Sequence, residues 1–173
     1  MKPGYFALLT IFLSCNAIRA GYEILKRSGR IDSHNKPLFW CIVLVMAGLW
    51  FSWFGMCPID PLKIALPDVI RWIGFAIVIV GLVPAIGALI QLRGVEHIEH
   101  LVTTGLFARV RHPMYLGFIL WIVGWAMFHS AAVSAAAGMV GIGNVLYWRS
   151  LEEKNLEKTY GDRYLEYRKQ TWC

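Results

Sequence analysis

LVTTGLFARVRHPMYLGF, residues 101–118, is the segment around which the rest of the chain is organised. It is polar up to Pro113 and apolar afterwards, so we predict that water meets a membrane helix here. Proline suits the first turn of a helix, where its missing N–H would have had no partner. The first N–H groups of that helix, together with Arg111 and His112, would form an anion site. An ordinary basic membrane boundary is the competing interpretation.

The composition favours a membrane protein. Hydrophobic residues make up 57% of the chain and charged residues only 16%, well below the roughly 25% of a soluble domain. Eight tryptophans fit a belt at the membrane interface. The net charge of +6 could indicate a nucleic-acid partner, but the basic residues are scattered between apolar runs. We therefore interpret them as topology signals and lipid contacts, with no nucleic acid involved.

Five apolar runs predict an all-α, polytopic membrane protein with one domain over residues 1–173. The predicted spans are residues 5–18, 38–56, 69–92, 115–128 and 131–148. A basic loop at residues 21–36, a proline-containing connection at 57–67, a polar loop at 93–112 and a tight turn at 129–130 join them. Residues 1–92 would thus hold three spans, and residues 93–173 a cofactor-binding loop, a helical hairpin and a charged helical tail.

Lysine and arginine are concentrated in three segments: residues 21–36, residues 93–112 and the tail from residue 149. The opposite side of the membrane would carry only Lys2, Lys63 and Arg71. The positive-inside rule then predicts an external N-terminus, with all three basic segments in the cytoplasm. A hairpin of the fourth and fifth spans would bring Glu152 and Glu153 to the helix start at Pro113, on the cytoplasmic side.

Other features predict how the helices pack. Pro84 lies inside the third span and should kink it. Small residues in the fifth span, Gly138, Gly141 and Gly143, favour close helix packing rather than nucleotide binding. The tail could form one interfacial face that is interrupted at Gly161. The members of that face are Leu151, Leu156, Tyr160, Tyr164 and Tyr167. We expect Tyr164 and Tyr167 to pack or anchor rather than catalyse.

The segment LVTTGLFARVRHPMY, residues 101–115, is followed one short hairpin later by RSLEEKNLEKTYGDRYLEY, residues 149–167. This pair of motifs resembles the isoprenylcysteine carboxyl methyltransferase family and its bacterial phospholipid-methyltransferase relatives. The resemblance runs from Gln91 to the end of the chain, whereas the earlier spans look like generic membrane helices. It implies an integral-membrane enzyme that uses S-adenosylmethionine without the Rossmann domain common in soluble methyltransferases.

The chemistry of that cofactor suggests roles for the residues. Its carboxylate would suit His112 and the amides at the helix start, around Pro113 and Met114. Its ammonium would suit Glu152, with Glu153 as neighbour or support. Its sulfonium could lie near the ring of Tyr115.

The resemblance further implies that the segment from Glu99 through His100 and Leu101 to Val102 cradles the adenosyl part. Gln91 and Phe107 would lie nearby, although most family members carry tyrosine where Phe107 stands. Arg149 could be a boundary charge or could hold an acidic acceptor group, and we take it as the candidate catalytic residue and the electrostatic partner of such an acceptor. His97 and His100 have helical ligand spacing, but no third ligand is evident, so we predict no metal site.

Four classes of function remain open at this point. They are carboxylate methylation of a lipidated or apolar acceptor, amine methylation of a phospholipid, an NADPH-dependent membrane reduction, and a non-catalytic membrane scaffold. The short chain argues against the reductase. A carboxylate acceptor needs no general base, whereas an amine must first lose its proton. No carboxylate remains that could act as a base without also being assigned to the cofactor, so the sequence favours a carboxylate acceptor. If the acceptor is an amine, His112 or a lipid phosphate is the candidate base.

Overall fold

The computed structural model describes residues 3–28, 30–31, 36–92 and 101–172. Within these ranges the chain is helical, which confirms the all-α class. The elements are α1 (Pro3–Arg27), α2 (Lys36–Met56), α3 (Asp68–Leu92), a short 3-10 helix (Gly105–Ala108), α4 (Pro113–Phe128), α5 (Ala132–Tyr160) and α6 (Asp162–Gln170).

Three of these helices are long and apolar enough to cross a membrane, which confirms a polytopic membrane protein. They are Pro3–Lys26, Lys36–Met56 and Asp68–Leu92, of 24, 21 and 25 residues. Helix α4 is apolar but has 16 residues, so its length of about 24 Å is less than the roughly 30 Å hydrocarbon core. Helix α5 is apolar only in its first part. Crossing of the membrane by α4 and α5 therefore stays a prediction.

Helices α4 and α5 form the expected hairpin through a tight turn. The backbone of Ser130 has a φ of 53°, and the Ala131 N–H donates to the Ala126 carbonyl at 2.9 Å. This turn places the end of α4 beside Arg71, whose Nε donates to the Phe128 carbonyl at 3.2 Å. The beginning of α4 and the charged half of α5 consequently share the other end of the bundle with the end of α3.

Glycines let α3 and α4 pack in direct backbone contact. A Cβ at Gly117 would lie 2.6 Å from the Gly81 carbonyl oxygen, and one at Gly124 would lie 2.6 Å from the Gly74 carbonyl oxygen. Small residues in membrane helices permit such approach, because no side chain separates the backbones. Helix α3 is continuous through Pro84.

The small residues of α5 serve the same purpose at two of the three predicted positions. A Cβ at Gly138 would lie 2.7 Å from the Trp53 ring, and one at Gly141 would lie 3.1 Å from the Phe12 ring. The prediction is wrong for Gly143, where a Cβ would meet nothing within 4 Å. Trp53 and Phe12 are fully buried and belong to the main core, whose buried members come chiefly from α1, α2 and α4 and against which α5 packs.

Two boundaries differ from the sequence prediction. The basic loop predicted at residues 21–36 is shorter, because α1 continues to Arg27 and buries Tyr22. The fifth span and the tail are one helix, α5, which runs without a break past Arg149. Helix α5 ends at Tyr160 and is followed by Gly161, whose φ of 52° suits glycine, so the predicted interruption of the tail at Gly161 is confirmed.

Candidate active site

His112 stands immediately before α4, where the polar loop meets the apolar helix. It is 4% exposed, and Pro113 occupies the first helical position. The first helical hydrogen bond runs from the Leu116 N–H to the His112 carbonyl at 3.0 Å, and no side chain caps this helix start. The N–H groups of Met114 and Tyr115 precede that bond, as the sequence predicts for a helix that begins at Pro113.

The hairpin brings the acidic pair of α5 to His112, as predicted. The His112 Nε2 lies 3.3 Å from the Glu153 Oε1, and its Nδ1 lies 3.7 Å from the Glu152 Oε2. The ring therefore has a carboxylate oxygen near each nitrogen, although these residues are about 40 positions apart in the chain.

Glu153 is the centre of an ion-pair network. The same carboxylate oxygen that meets His112 lies 3.5 Å from the Arg111 Nε and 3.4 Å from the Arg149 Nε. Burial raises the pKa of Glu153, but Arg149, His112 and Arg111 together outweigh it and hold this pKa below its ordinary value. Glu153 therefore stays ionised and contacts Arg111, Arg149 and the His112 ring through one carboxylate oxygen.

Glu152 is in a different environment, because its side chain is 41% exposed. The Tyr115 hydroxyl faces the Glu152 carboxylate, and the Tyr115 ring stacks against His112 with centroids 5.6 Å apart and an interplanar angle of 20°. Met114 and Tyr115 also pack against the cluster around Trp148. His112 and Tyr115 thus lie beside the accessible carboxylate of Glu152 at the start of α4.

Gln91, at the end of α3, holds the loop that precedes the site. Its Nε2 donates to the Thr104 carbonyl at 2.6 Å, and its Oε1 accepts from the Leu106 N–H at 3.1 Å. Between them Gly105 has a φ of 60°, and a Cβ there would lie 2.7 Å from the Gln91 amide. Gln91 is near the predicted segment, but both ends of its amide bond to the loop backbone.

The residues predicted to contact the adenosyl part of the cofactor differ in how accessible they are to a ligand. The Leu101 side chain is buried against Tyr164 and Tyr167, so only its backbone could meet a ligand. Val102 is half-buried, and Phe107 lies in the short 3-10 helix, where its carbonyl accepts from the Tyr167 hydroxyl at 2.6 Å. Glu99 and His100, like His97, lie outside the described residues.

The tail packs on this loop instead of forming the interfacial face predicted from the sequence. Tyr164 is fully buried, and burial raises its pKa to about 12, which fits a packing role. The Trp172 N–H donates to the Arg109 carbonyl at 2.8 Å, and the Arg111 N–H donates to the Trp172 carbonyl at 3.1 Å. These two backbone hydrogen bonds join the segment after α6 to the loop that precedes the site.

The sequence missed one contribution to the site, which comes from α1. Arg19 and Glu23 form an ion pair one helical turn apart, and both lie within electrostatic range of the Tyr115 hydroxyl. The Arg19 guanidinium also lies over the Trp148 ring of α5, 5.0 Å from its centroid. The spacing of an arginine and a glutamate four residues apart on an apolar helix was the available signal.

Comparison of the sequence with known proteins identifies the family to which the chain belongs. The family model described as phospholipid methyltransferase matches residues 69–163, which includes α3, a helix that looked generic in the sequence. Protein-S-isoprenylcysteine O-methyltransferases B and A of Arabidopsis thaliana are each 34% identical over 119 residues, or 68% of this chain and 55% of theirs. The Schizosaccharomyces pombe protein-S-isoprenylcysteine O-methyltransferase is 37% identical over 78 residues, 44% of this chain and 32% of its own.

The chain thus spans about half the length of the plant relatives it matches. No solved structure gives a significant match. The family match covers more than half of the chain and contains both the helix start at Pro113 and the pair Glu152–Glu153. The chain therefore belongs to the phospholipid methyltransferase family, which its resemblance to the isoprenylcysteine enzymes had indicated.

Proposed function

We propose that this protein transfers a methyl group from S-adenosylmethionine to a lipophilic acceptor at the cytoplasmic face of a membrane. The observation that carries the proposal is the cluster of His112, Tyr115 and Glu152 at the uncapped start of α4. It lies at the end of an apolar helix, where a lipophilic acceptor and a water-soluble cofactor can both arrive. The related isoprenylcysteine O-methyltransferases support the same reaction class.

The residues present fit the cofactor. S-adenosylmethionine carries a carboxylate, an ammonium and a sulfonium, and when bound it supplies a methyl group on a positively charged sulfur. The exposed Glu152 carboxylate suits the ammonium. His112 and the N–H groups of Met114 and Tyr115 suit the carboxylate. The face of the Tyr115 ring suits the sulfonium.

The other residues of the site hold these groups in place. Glu153 fixes His112, Arg111 and Arg149 through one carboxylate oxygen, so the ring of His112 has a defined orientation. Gln91 fixes the turn at Gly105 that leads to the site. Methyl transfer neutralises charge and gains most from positioning and from exclusion of water. The ion-pair network around Glu153 would supply the positioning, and the apolar cluster around Trp148 would keep water from one side of the site.

The proposed acceptor is a carboxylate of the isoprenylcysteine type. A carboxylate is already an anion at neutral pH and needs no general base. Arg149 places positive charge beside the site, which would favour an anionic head group. The description of the matching family names phospholipids instead, so amine methylation of a phosphatidylethanolamine-type lipid is the second candidate. That reaction would require a site that removes a proton from the amine.

Labelled methyl transfer from detergent-purified protein tests the proposal. We expect calorimetry to show binding of S-adenosylmethionine but not of NADPH, and label to enter a prenylcysteine analogue at a rate that is flat from about pH 6 to 9. Transfer only to phosphatidylethanolamine, with a rate that rises with pH, would replace the carboxylate by the amine acceptor. A folded protein that does not bind S-adenosylmethionine would contradict the proposed function altogether.

A further inference from the structure

Helix α1 runs parallel to α5 in a constant register that leads to the site. Three contacts join residues whose numbers differ by 128 or 129: Tyr5 with Ser134, Asn16 with Asn144, and Arg19 with Trp148. The next turn of both helices brings Glu23 to the level of Glu152. The shared proximity of Arg19, Glu23 and Glu152 to the Tyr115 hydroxyl agrees with this register.

Arg19 is held in one place by three contacts. Its guanidinium carbon lies 5.0 Å from the centroid of the Trp148 ring and 5.4 Å from that of Tyr22. Its Nη1 pairs with Glu23, and the two side chains are 17% and 18% exposed. The pair lies beyond the predicted span 5–18, at the same end of the bundle as the site, and the cost of burying two charges to this extent suggests a functional reason.

The guanidinium has capacity for a second anion. It carries five N–H donors in a planar fork that matches a carboxylate. Among the described residues, the hydrogen bonds of Arg19 involve only the Nη1 atom. Arg149, in contrast, bonds through its Nε to Glu153 within the network that orients His112. Of these two arginines, Arg19 is therefore the better direct ligand for an acceptor.

The extent of the family match supports the assignment of Arg19 to the acceptor. The family match begins at residue 69 and includes α4 and α5, which carry His112, Tyr115 and Glu152. Helix α1 lies outside the matched residues. A contribution from α1 is thus suited to a property that varies within a family, such as the choice of acceptor, rather than to the shared cofactor.

We propose that Arg19 binds the carboxylate of the lipophilic acceptor, with Glu23 as the positioning residue that fixes its guanidinium. This inference rests on the proposed function, because it names the acceptor contact of the same site. Helix α1 then forms the acceptor wall, and α4 with α5 forms the cofactor wall. The acceptor carboxylate would approach between them, next to Tyr115.

Binding of a prenylated cysteine analogue, measured by calorimetry without any methyl donor, tests the role of Arg19. The free acid and its methyl ester share the lipid chain and differ in charge. We expect the wild-type protein to prefer the acid by roughly 10-fold to 100-fold, the range for one charge-assisted contact. The Arg19→Gln variant should lose this preference, while it keeps its affinity for the ester and for S-adenosylmethionine.

Two further variants make the comparison specific. Arg19→Lys keeps the charge but not the fork, so it should retain part of the preference for the acid. Lys26→Gln is the matched control, because Lys26 is also a cation of α1 over the Tyr22 ring, 5.8 Å from its centroid. Lys26→Gln should bind the acid and the ester as the wild-type protein does.

The outcomes separate the inference from the proposed function. An Arg19→Gln protein that still prefers the acid, or a wild-type protein without any preference, would overturn the role of Arg19. Equal loss of acid, ester and cofactor binding in Arg19→Gln would also overturn it, since it would indicate a structural role. A wild-type protein that prefers the acid through Arg19 but transfers no methyl group would support the inference while it contradicts the proposed function.

Discussion

Glu152 and Glu153 are neighbours in the sequence but have different surroundings. Glu153 points one oxygen at two arginines and the His112 ring, whereas Glu152 is 41% exposed beside His112 and the Tyr115 hydroxyl. Successive residues of a helix point about 100° apart, so two adjacent carboxylates cannot share one environment. Because of this difference, we propose that Glu152 binds the ligand and that Glu153 organises the site.

The Glu152→Gln substitution tests ligand binding at the residue scale. It keeps the shape of the side chain and removes the charge proposed to meet the cofactor ammonium. Loss of one charge-assisted hydrogen bond should cost about 1.5–3 kcal/mol, or roughly one to two decades of affinity for S-adenosylmethionine in calorimetry. Glu157→Gln, an exposed glutamate of the same helix, is the control. Unchanged affinity in a folded Glu152→Gln protein would remove Glu152 from the cofactor site.

The Glu153→Gln substitution should affect stability in a way that depends on pH. Arginine and histidine neighbours hold the pKa of Glu153 below its ordinary value of 4.5 despite burial. A carboxylate with a lowered folded-state pKa stabilises the fold above the ordinary value, and that stability is lost as pH falls through the folded-state pKa. The variant should therefore melt below the wild-type protein at pH 7, with the difference shrinking below about pH 4.5. A difference that is constant with pH would contradict the ion-pair role.

At the scale of the helices, glycine contacts determine how closely α3 and α4 approach each other. A Cβ at Gly117 would lie 2.6 Å from the Gly81 carbonyl oxygen and 2.7 Å from the Ala85 Cβ. We expect Gly117→Ala to destabilise the protein by about 1–3 kcal/mol, because α3 and α4 must separate. Thermal unfolding in detergent measures this. Gly143→Ala, at a position with open space, should be neutral or stabilise by up to about 1 kcal/mol.

Asp60 joins elements at the end of the bundle opposite the site. It is 1% exposed, and its Oδ2 accepts from the Ser134 N–H at 2.6 Å, at the start of α5. Its Oδ1 accepts from the Leu62 N–H at 2.8 Å.

We expect Asp60→Ala to lower stability by about 1–3 kcal/mol, because buried donors lose their acceptor. Cofactor affinity should not change, since the site lies at the other end. Thermal unfolding and calorimetry measure the two properties. Asp68→Ala is the control: Asp68 pairs with Arg71 but is 82% exposed, so its loss should cost less than about 1 kcal/mol. Equal destabilisation by both substitutions would contradict the buried role of Asp60.

At the scale of the whole molecule, the position of the basic residues predicts topology. The loop before α4 and the tail lie together at one end of the bundle, because the backbones of Arg109 and Arg111 pair with that of Trp172. Labelling with an impermeant thiol reagent in a cysteine-free background should reach Arg109→Cys from the cytoplasm and Leu62→Cys only from the opposite side. Both native side chains are exposed. Reaction of both positions from the same side would contradict the five-span topology.

The sequence by itself determined the class of this protein and the beginning of its site. Apolar runs of membrane length can only be helices in lipid, because every backbone polar group must be satisfied within the segment. Pro113 after a basic segment marked the start of α4, and Gly161 marked the end of α5. The motifs around His112 and Glu152 indicated the family. These signals are local, so they can be recognised without knowledge of the fold.

Only the tertiary structure decided which distant residues share the site. Contacts between residues far apart in the chain include those of Arg19 with Trp148, of Glu153 with Arg111 and His112, and of Trp172 with the loop backbone. These contacts depend on how closely neighbouring helices approach each other and on which of their turns lie side by side. Contacts such as those of Gly138 and Gly141 set this register. A local pattern shows that a helix has small or charged residues, but not which turn of another helix they will meet, because packing alone fixes that relation.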